Sequence, residues 1–199
     1  EVSNFTLRSN TSNAIAFTAH NVRSHVDYDE RHADLQIASG PARTELQLVK
    51  MEAYADLFSW EMDRKTLDIV NSQRQSSEGL EQLDLRQRVG KLNDMPGVRF
   101  VSTDAARQGM TYNSLRSTYL YNQGELSSQG VYVIAVADAA IAPSYDTVHI
   151  EKDGKMTMLH NAKLIADRQN AWHYITGAEL LVDGGQKYTG KGFMDYHND

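Results

Sequence analysis

The chain contains no cysteine, which excludes disulfides, thiolate metal centres and a cysteine nucleophile. Proline is scarce, three residues in 199, and no proline- or serine-rich linker or internal repeat divides the sequence. A single domain spanning 1–199 is therefore expected. No run approaches the roughly 18 apolar residues that a membrane-spanning helix needs. Basic residues are outnumbered, 20 against 26 acidic ones, for a formal net charge of −6. That balance makes nucleic acid and an anionic membrane surface poor general partners. Glu1 opens the chain without a charged-then-apolar leader, and a cytoplasmic location is expected. The seven histidines, His20, His25, His32, His149, His160, His173 and His197, show no ligand spacing, so no metal site is expected. Gly-x-Ser-x-Gly and the phosphate-binding Gly-Lys-Ser/Thr loop are absent as well.

What remains is an ordinary globular composition, 41% hydrophobic and 23% charged, long enough to bury a sizeable core. Apolar runs near 2–7, 46–49, 67–70, 98–101, 131–137 and 180–182 predict short strands. Met51, Tyr54, Ala55, Phe58 and Met62 recur at three- and four-residue spacing and predict a helix, with Ala33 to Ile37 a weaker case. Alternating strands and helices argue for an α/β domain with a mostly parallel sheet. One segment disagrees. Thr147 to Leu159 alternates on both sides of Asp153-Gly154, which reads as a β-hairpin. Asn4-Phe-Thr6 and Asn10-Thr-Ser12 fit the N-glycosylation pattern, which recurs by chance.

Near the C-terminus, Tyr174-Ile-Thr-Gly177-Ala-Glu-Leu-Leu-Val182-Asp183-Gly184-Gly185 is a short apolar strand between glycine turns. It resembles the closing strand of the short-chain dehydrogenase/reductase family, and further segments match that family in order. Val2 to Ala16 keeps the spacing of its glycine-rich first turn, with Leu7, Thr11 and Asn13 at the glycine positions. Asp27 matches the acid that holds the adenosine ribose, and with Asp29, Glu30 and Arg31 it reads equally as a solvated charged turn. Leu46-Gln-Leu48-Val49 matches the third strand. Asn71 stands alone of the Asn-Asn-Ala-Gly tetrad, followed by Arg74. Asn93 matches the asparagine of the proton relay, and Ser102 is the candidate catalytic serine. Tyr112-Asn-Ser-Leu-Arg116 matches Tyr-x-x-x-Lys with arginine for lysine; positions i and i+4 share a helix face, and Tyr112, Leu115, Tyr119 and Leu120 read as an amphipathic helix. Gly130 to Pro143, with Ile141, resembles the sixth strand and the loop that closes on the nicotinamide.

The resemblance implies an α/β, Rossmann-like doubly wound parallel sheet with helices on both faces. It further implies an NAD(P)-dependent oxidoreductase interconverting a small secondary alcohol and its ketone. Tyr112 would be the acid/base, Arg116 its electrostatic partner, and Ser102 and Asn93 its helpers. Thr6, Asn13, Asp27, Asn71 and Ile141 would surround the cofactor, and Asp27 favours NAD over NADP because a carboxylate repels a 2′-phosphate. A homo-oligomer, dimer or tetramer, is expected, with the aromatic tail from Lys187 to Tyr196 against a neighbouring subunit. The loss of the glycines supports an alternative, a non-catalytic relative that binds or scaffolds without the dinucleotide. A third class, a small β-rich binding protein, rests on the Asp153-Gly154 hairpin.

Overall fold

The computed structural model describes residues 3–73, 76–77, 79–107, 109–170 and 173–194. Over these the chain forms seventeen antiparallel strands and a single five-residue α-helix. In order they are β1 (Ser3–Arg8), β2 (Ile15–Asp27), β3 (His32–Ile37), β4 (Ala42–Leu46), β5 (Met51–Ala55), β6 (Leu57–Glu61) and β7 (Thr66–Val70). The helix α1 (Leu85–Val89) follows, then β8 (Val98–Ser102), β9 (Thr111–Ser114), β10 (Arg116–Leu120), β11 (Glu125–Gln129) and β12 (Ile134–Val136). The last five are β13 (Ala139–Ala142), β14 (Thr147–Ile150), β15 (Leu159–Ala166), β16 (His173–Gly184) and β17 (Lys187–Met194).

Two leaves branch from β2. Its C-terminal half pairs with β3 and opens leaf I, which continues through β6, β7, β10, β11 and β14. Its N-terminal half pairs with β1 and β4 and opens leaf II, which continues through β5, β8, β9, β12, β13, β15, β16 and β17. From β4 to β13 the chain runs two strands in one leaf, crosses a seam, and runs two in the other; β14 then returns alone to leaf I before β15 to β17 complete leaf II. Some crossings take one residue, Asp56 between β5 and β6 and Leu115 between β9 and β10.

The seam is held by buried contacts. Asp56, 2% exposed, accepts the Ser72 backbone N–H at 2.8 Å and the Ser72 hydroxyl. Gly97 takes φ 84°, and a Cβ there would stand 1.9 Å from the Ser114 carbonyl oxygen. Only glycine fits both demands. On the opposite side the hairpin turns of the two leaves meet, Asn10 N–H donating to Asn122 Oδ1 at 2.9 Å.

Between the leaves lies the main core. Phe17 of leaf II packs on Phe58 of leaf I with ring centres 5.1 Å apart, and Tyr119 donates from leaf I to the Ala16 carbonyl at 3.1 Å. A buried hydroxyl chain runs through it, Tyr112 to Ser128 at 3.1 Å, Ser128 to Ser117 at 2.8 Å and Ser117 to Ser114 at 2.7 Å. Each hydroxyl has a partner and the two inner serines, Ser117 and Ser128, have two, so these polar atoms are buried with hydrogen bonds made.

A parallel α/β sheet is thus ruled out, and with it the short-chain dehydrogenase resemblance. β1, β7, β8 and β16 cover the expected strands near 2–7, 67–70, 98–101 and 180–182, and β12 covers part of 131–137, whereas 47–49 is a single 3-10 turn. Every pairing is antiparallel, and the expected helices at 33–37, 51–62 and 112–120 are strands. The supposed closing strand is part of β16, which pairs with β15 and β17 rather than with the N-terminal strand. This ribbon bends at Asn161 and Gly177, both with positive φ. Its tip returns to the earlier turns, Gly185 N–H donating to Arg107 O and Ala137 N–H to Gly185 O, each at 2.8 Å. The Asp153-Gly154 turn is present, with Glu151 N–H donating to Lys155 O at 2.7 Å.

Candidate functional site

Between β7 and β8 the chain leaves the seam and folds over the outer face of leaf II before returning. Leu80, Leu85 and Met95 of this excursion pack on Tyr132, Val133, Ala140, Ala142 and Ile165 as a second, smaller core. Asp84 caps α1, accepting the Gln87 N–H at 2.8 Å while the Gln87 side chain accepts the Asp84 N–H at 3.1 Å. The reciprocal pair satisfies two donors that a helix start otherwise leaves open. Arg88 pins the excursion from within. Its guanidinium donates to the carbonyls of Leu80, Leu83, Glu81 and Tyr132 and pairs with Asp146 at 2.8 Å.

A groove of about 1010 Å³ separates the excursion from the leaf. Tyr54, Arg99 and Asn113 stand side by side on its floor, since Tyr54 is paired with Arg99 and Arg99 with Asn113 on neighbouring strands. Val89, Leu92 and Met95 form an apolar wall, and Arg168 also lines the space. Asn113 Nδ2 donates to the Met95 carbonyl at 3.1 Å and ties wall to floor. The Arg99 guanidinium carbon lies 5.5 Å from the centre of the Tyr54 ring. Stacking occupies the face of the guanidinium and leaves its N–H edge open to a ligand. Arg168 spends one N–H on the Ala137 carbonyl at 3.2 Å. Among the described residues no Asp or Glu lines the groove.

Three of the residues singled out in the sequence border this groove, Asn71, Asn93 and Tyr112. Asn93 is exposed, whereas Asn71 is buried and accepts the Gln73 N–H at 3.2 Å. Tyr112 turns its hydroxyl into the core toward Ser128, and burial pushes the phenol well above its ordinary value. A tyrosine that must exchange a proton near neutrality needs the opposite shift. Arg116, expected one helical turn away, lies beyond the Leu115 corner on leaf I and pairs with Asp68.

The others are dispersed. Ser102 ends β8 and accepts the Asp104 N–H at 3.2 Å. Thr6 is exposed on β1 opposite Thr18, and Asn13 sits in the β1–β2 turn at φ 55°. Asp27 accepts the N–H groups of Asp29 and Glu30, both at 2.9 Å, and so closes the β2–β3 turn. Ile141 is fully buried on β13. Arg74, His197 and the tail beyond Met194 lie outside the described residues.

On the outer face of leaf I, His32 bonds Glu61 through Nδ1 at 2.9 Å and Asp34 through Nε2 at 3.1 Å, with Ser59 Oγ 3.3 Å from Nε2. The set has the composition of a serine–histidine–acid triad. Its bonds run otherwise: hydrogen bonding to Asp34 is the largest cause raising the His32 pKa, and Ser59 donates to Asp34 at 2.9 Å. With both ring nitrogens on carboxylates and the Ser59 hydroxyl already given to Asp34, the set is not arranged for the ring to take a serine proton. Among the described residues no cluster of three or more His, Asp or Glu could hold a metal ion, and no helix is long and apolar enough to cross a membrane.

No protein-family model, curated protein or solved structure matches this chain. The groove was missed in the sequence because its floor comes from strands far apart in the chain. Arg99 within Val98-Arg-Phe-Val was the available signal, a cation at the outward position of an otherwise apolar strand.

Proposed function

We propose that the protein is a non-catalytic binding module whose groove captures an organic carboxylate with an apolar body. The supporting observation is the lining itself: among the described residues, two arginines and no acidic residue, in a chain carrying 26 of them. A cleft that gathers cations against the net charge of the molecule favours an anion. The fork of Arg99, held on Tyr54, suits the two oxygens of a carboxylate, and the wall of Val89, Leu92 and Met95 suits a hydrocarbon body. The oxidoreductase reading has lost the fold that supported it, since its motifs lie on antiparallel strands and turns.

Calorimetric titration with octanoate, acetate, inorganic phosphate and NAD tests the reading. Octanoate is expected to bind and acetate to bind more weakly, because only the former reaches the wall. Arg99→Ala and Arg168→Ala each lower octanoate affinity by roughly 10-fold or more, the worth of one charge-assisted hydrogen bond. Arg99→Lys recovers part of the loss, since it keeps the charge but not the fork. Failure of octanoate to bind at millimolar concentration would discard the proposal, and tighter binding of NAD would return the dinucleotide to consideration.

A further inference from the structure

The ends of the two leaves are finished differently. On leaf I the outer edge of β14 is covered by the returning segment 155–157, with Thr157 N–H donating to His149 O at 3.0 Å and a bridge between Ile150 and Met156. Leaf II ends in β17, eight residues long, whose strand pairing among the described residues is with β16. A long uncovered edge is a template for another strand. It also carries exposed apolar groups, Phe193 at 76% and Met194 at 48%.

We propose that two copies of this chain join edge to edge through β17, antiparallel, about a twofold axis at Gly190. In an antiparallel pair opposed side chains share a face, so a twofold axis must place one residue opposite its own copy. Centred on Thr189, the pairing would set Lys187 against Lys191 of the second copy. Centred on Lys191, it would set that lysine against itself. Like charges directly opposed are disfavoured.

Centred on Gly190, the clashes vanish. Tyr188 then faces Gly192, Lys187 faces Phe193 and Thr189 faces Lys191. An aromatic ring lies over a glycine gap, a cation lies beside an exposed ring, and a hydroxyl meets an ammonium group. The glycines are required in any case by the ribbon, since a Cβ on Gly190 would lie 2.1 Å from the Glu179 carbonyl oxygen and one on Gly192 2.5 Å from Ile175. Lys187 and Lys191 already pair with Asp183 at 3.3 Å and Glu179 at 3.1 Å. The edge therefore brings little uncompensated charge into the joint. This is strand addition with a second copy as the added strand.

Sedimentation equilibrium of the whole chain over a range of concentrations is expected to show a monomer–dimer equilibrium that stops at the dimer. Thr189 is exposed, so its substitution leaves the fold intact, which circular dichroism checks. Thr189→Lys places two lysine pairs across the joint and weakens the dimer roughly five- to tenfold, while Thr189→Glu creates two Glu–Lys pairs and strengthens it in a salt-sensitive way. A monomer at every concentration, growth beyond the dimer, or equal responses to the two substitutions would overturn the proposal.

Discussion

His32 is held between Asp34 and Glu61, and the direction of its pKa follows from the protons it gives. Hydrogen bonding to Asp34 is the largest cause raising it above 6.5, burial opposes the rise, and Glu61 adds to it. For Asp34, burial works upward, but its bonds from Ser59 and His32 together hold the carboxyl below 3.8. A raised histidine stabilises fully below its unfolded value and loses that contribution as pH climbs through the folded one. The lowered carboxyl contributes above its unfolded value and loses it as pH falls through the folded one. The cluster thus stabilises most at mildly acidic pH. Both carboxylates are largely solvated, so the effect is modest. We expect the His32 ring to titrate above 6.5 by NMR, with the urea midpoint declining across that titration, and His32→Gln to remove the decline. A His32 that titrates at or below 6.5 would refute this upward shift. At this scale the sequence was partly legible. Asp27 was recognised as a turn acid as readily as a ribose ligand, and it closes a turn. Asn71 and Asn93 were singled out and do border the groove, whereas Arg99 and Arg168 carried no local motif.

At the scale of elements, misreading has a definite cause. Met51, Ala53 and Ala55 are buried at strand spacing on β5, the chain turns at Asp56, and Phe58 is buried on β6. The corner shifts the phase of the alternation by one residue, so 55 to 58 is three apart and 51 to 55 is four. A period of two with one slip imitates a helix. The same slip at Leu115 separates buried Tyr112 and Ser114 from buried Ser117 and Tyr119 and produced the supposed tyrosine helix. The Asp153-Gly154 hairpin was legible because its signal is local. The corners themselves should be costly to alter. Asp56→Ala removes a buried acceptor and leaves both Ser72 donors without it, so stability should fall by about 2–4 kcal/mol in urea unfolding. Asp56→Asn, which keeps one acceptor oxygen, should cost about half as much. A loss below about 0.5 kcal/mol for the alanine variant, the scale of an ordinary surface substitution, would show that the seam does not depend on this contact.

For the whole molecule, two cores of unequal size imply two levels of stability. The inter-leaf core draws on most strands of both leaves, while the second core joins one excursion to the outside of leaf II. None of this division was visible in the sequence, because the pairing of β2 with β3, β4 and β1 and the return of the β16–β17 tip to Arg107 join segments with no local signature. Opening the excursion exposes only the smaller core and releases Arg88 from Asp146, whereas opening a leaf exposes the larger one. Native-state hydrogen exchange should therefore find residues 79–97 opening at lower free energy than β5, β7, β8 and β10. Arg88→Met should bring that segment close to unprotected, since its carbonyls lose their shared donor, with little change in the central strands. Octanoate binding across the wall and floor of the groove should slow exchange in 79–97 selectively, because a ligand stabilises only the states that hold its site together. If Arg88→Met lowers protection evenly through both leaves, the excursion is not a separate unit, and the groove has no wall that moves independently of its floor.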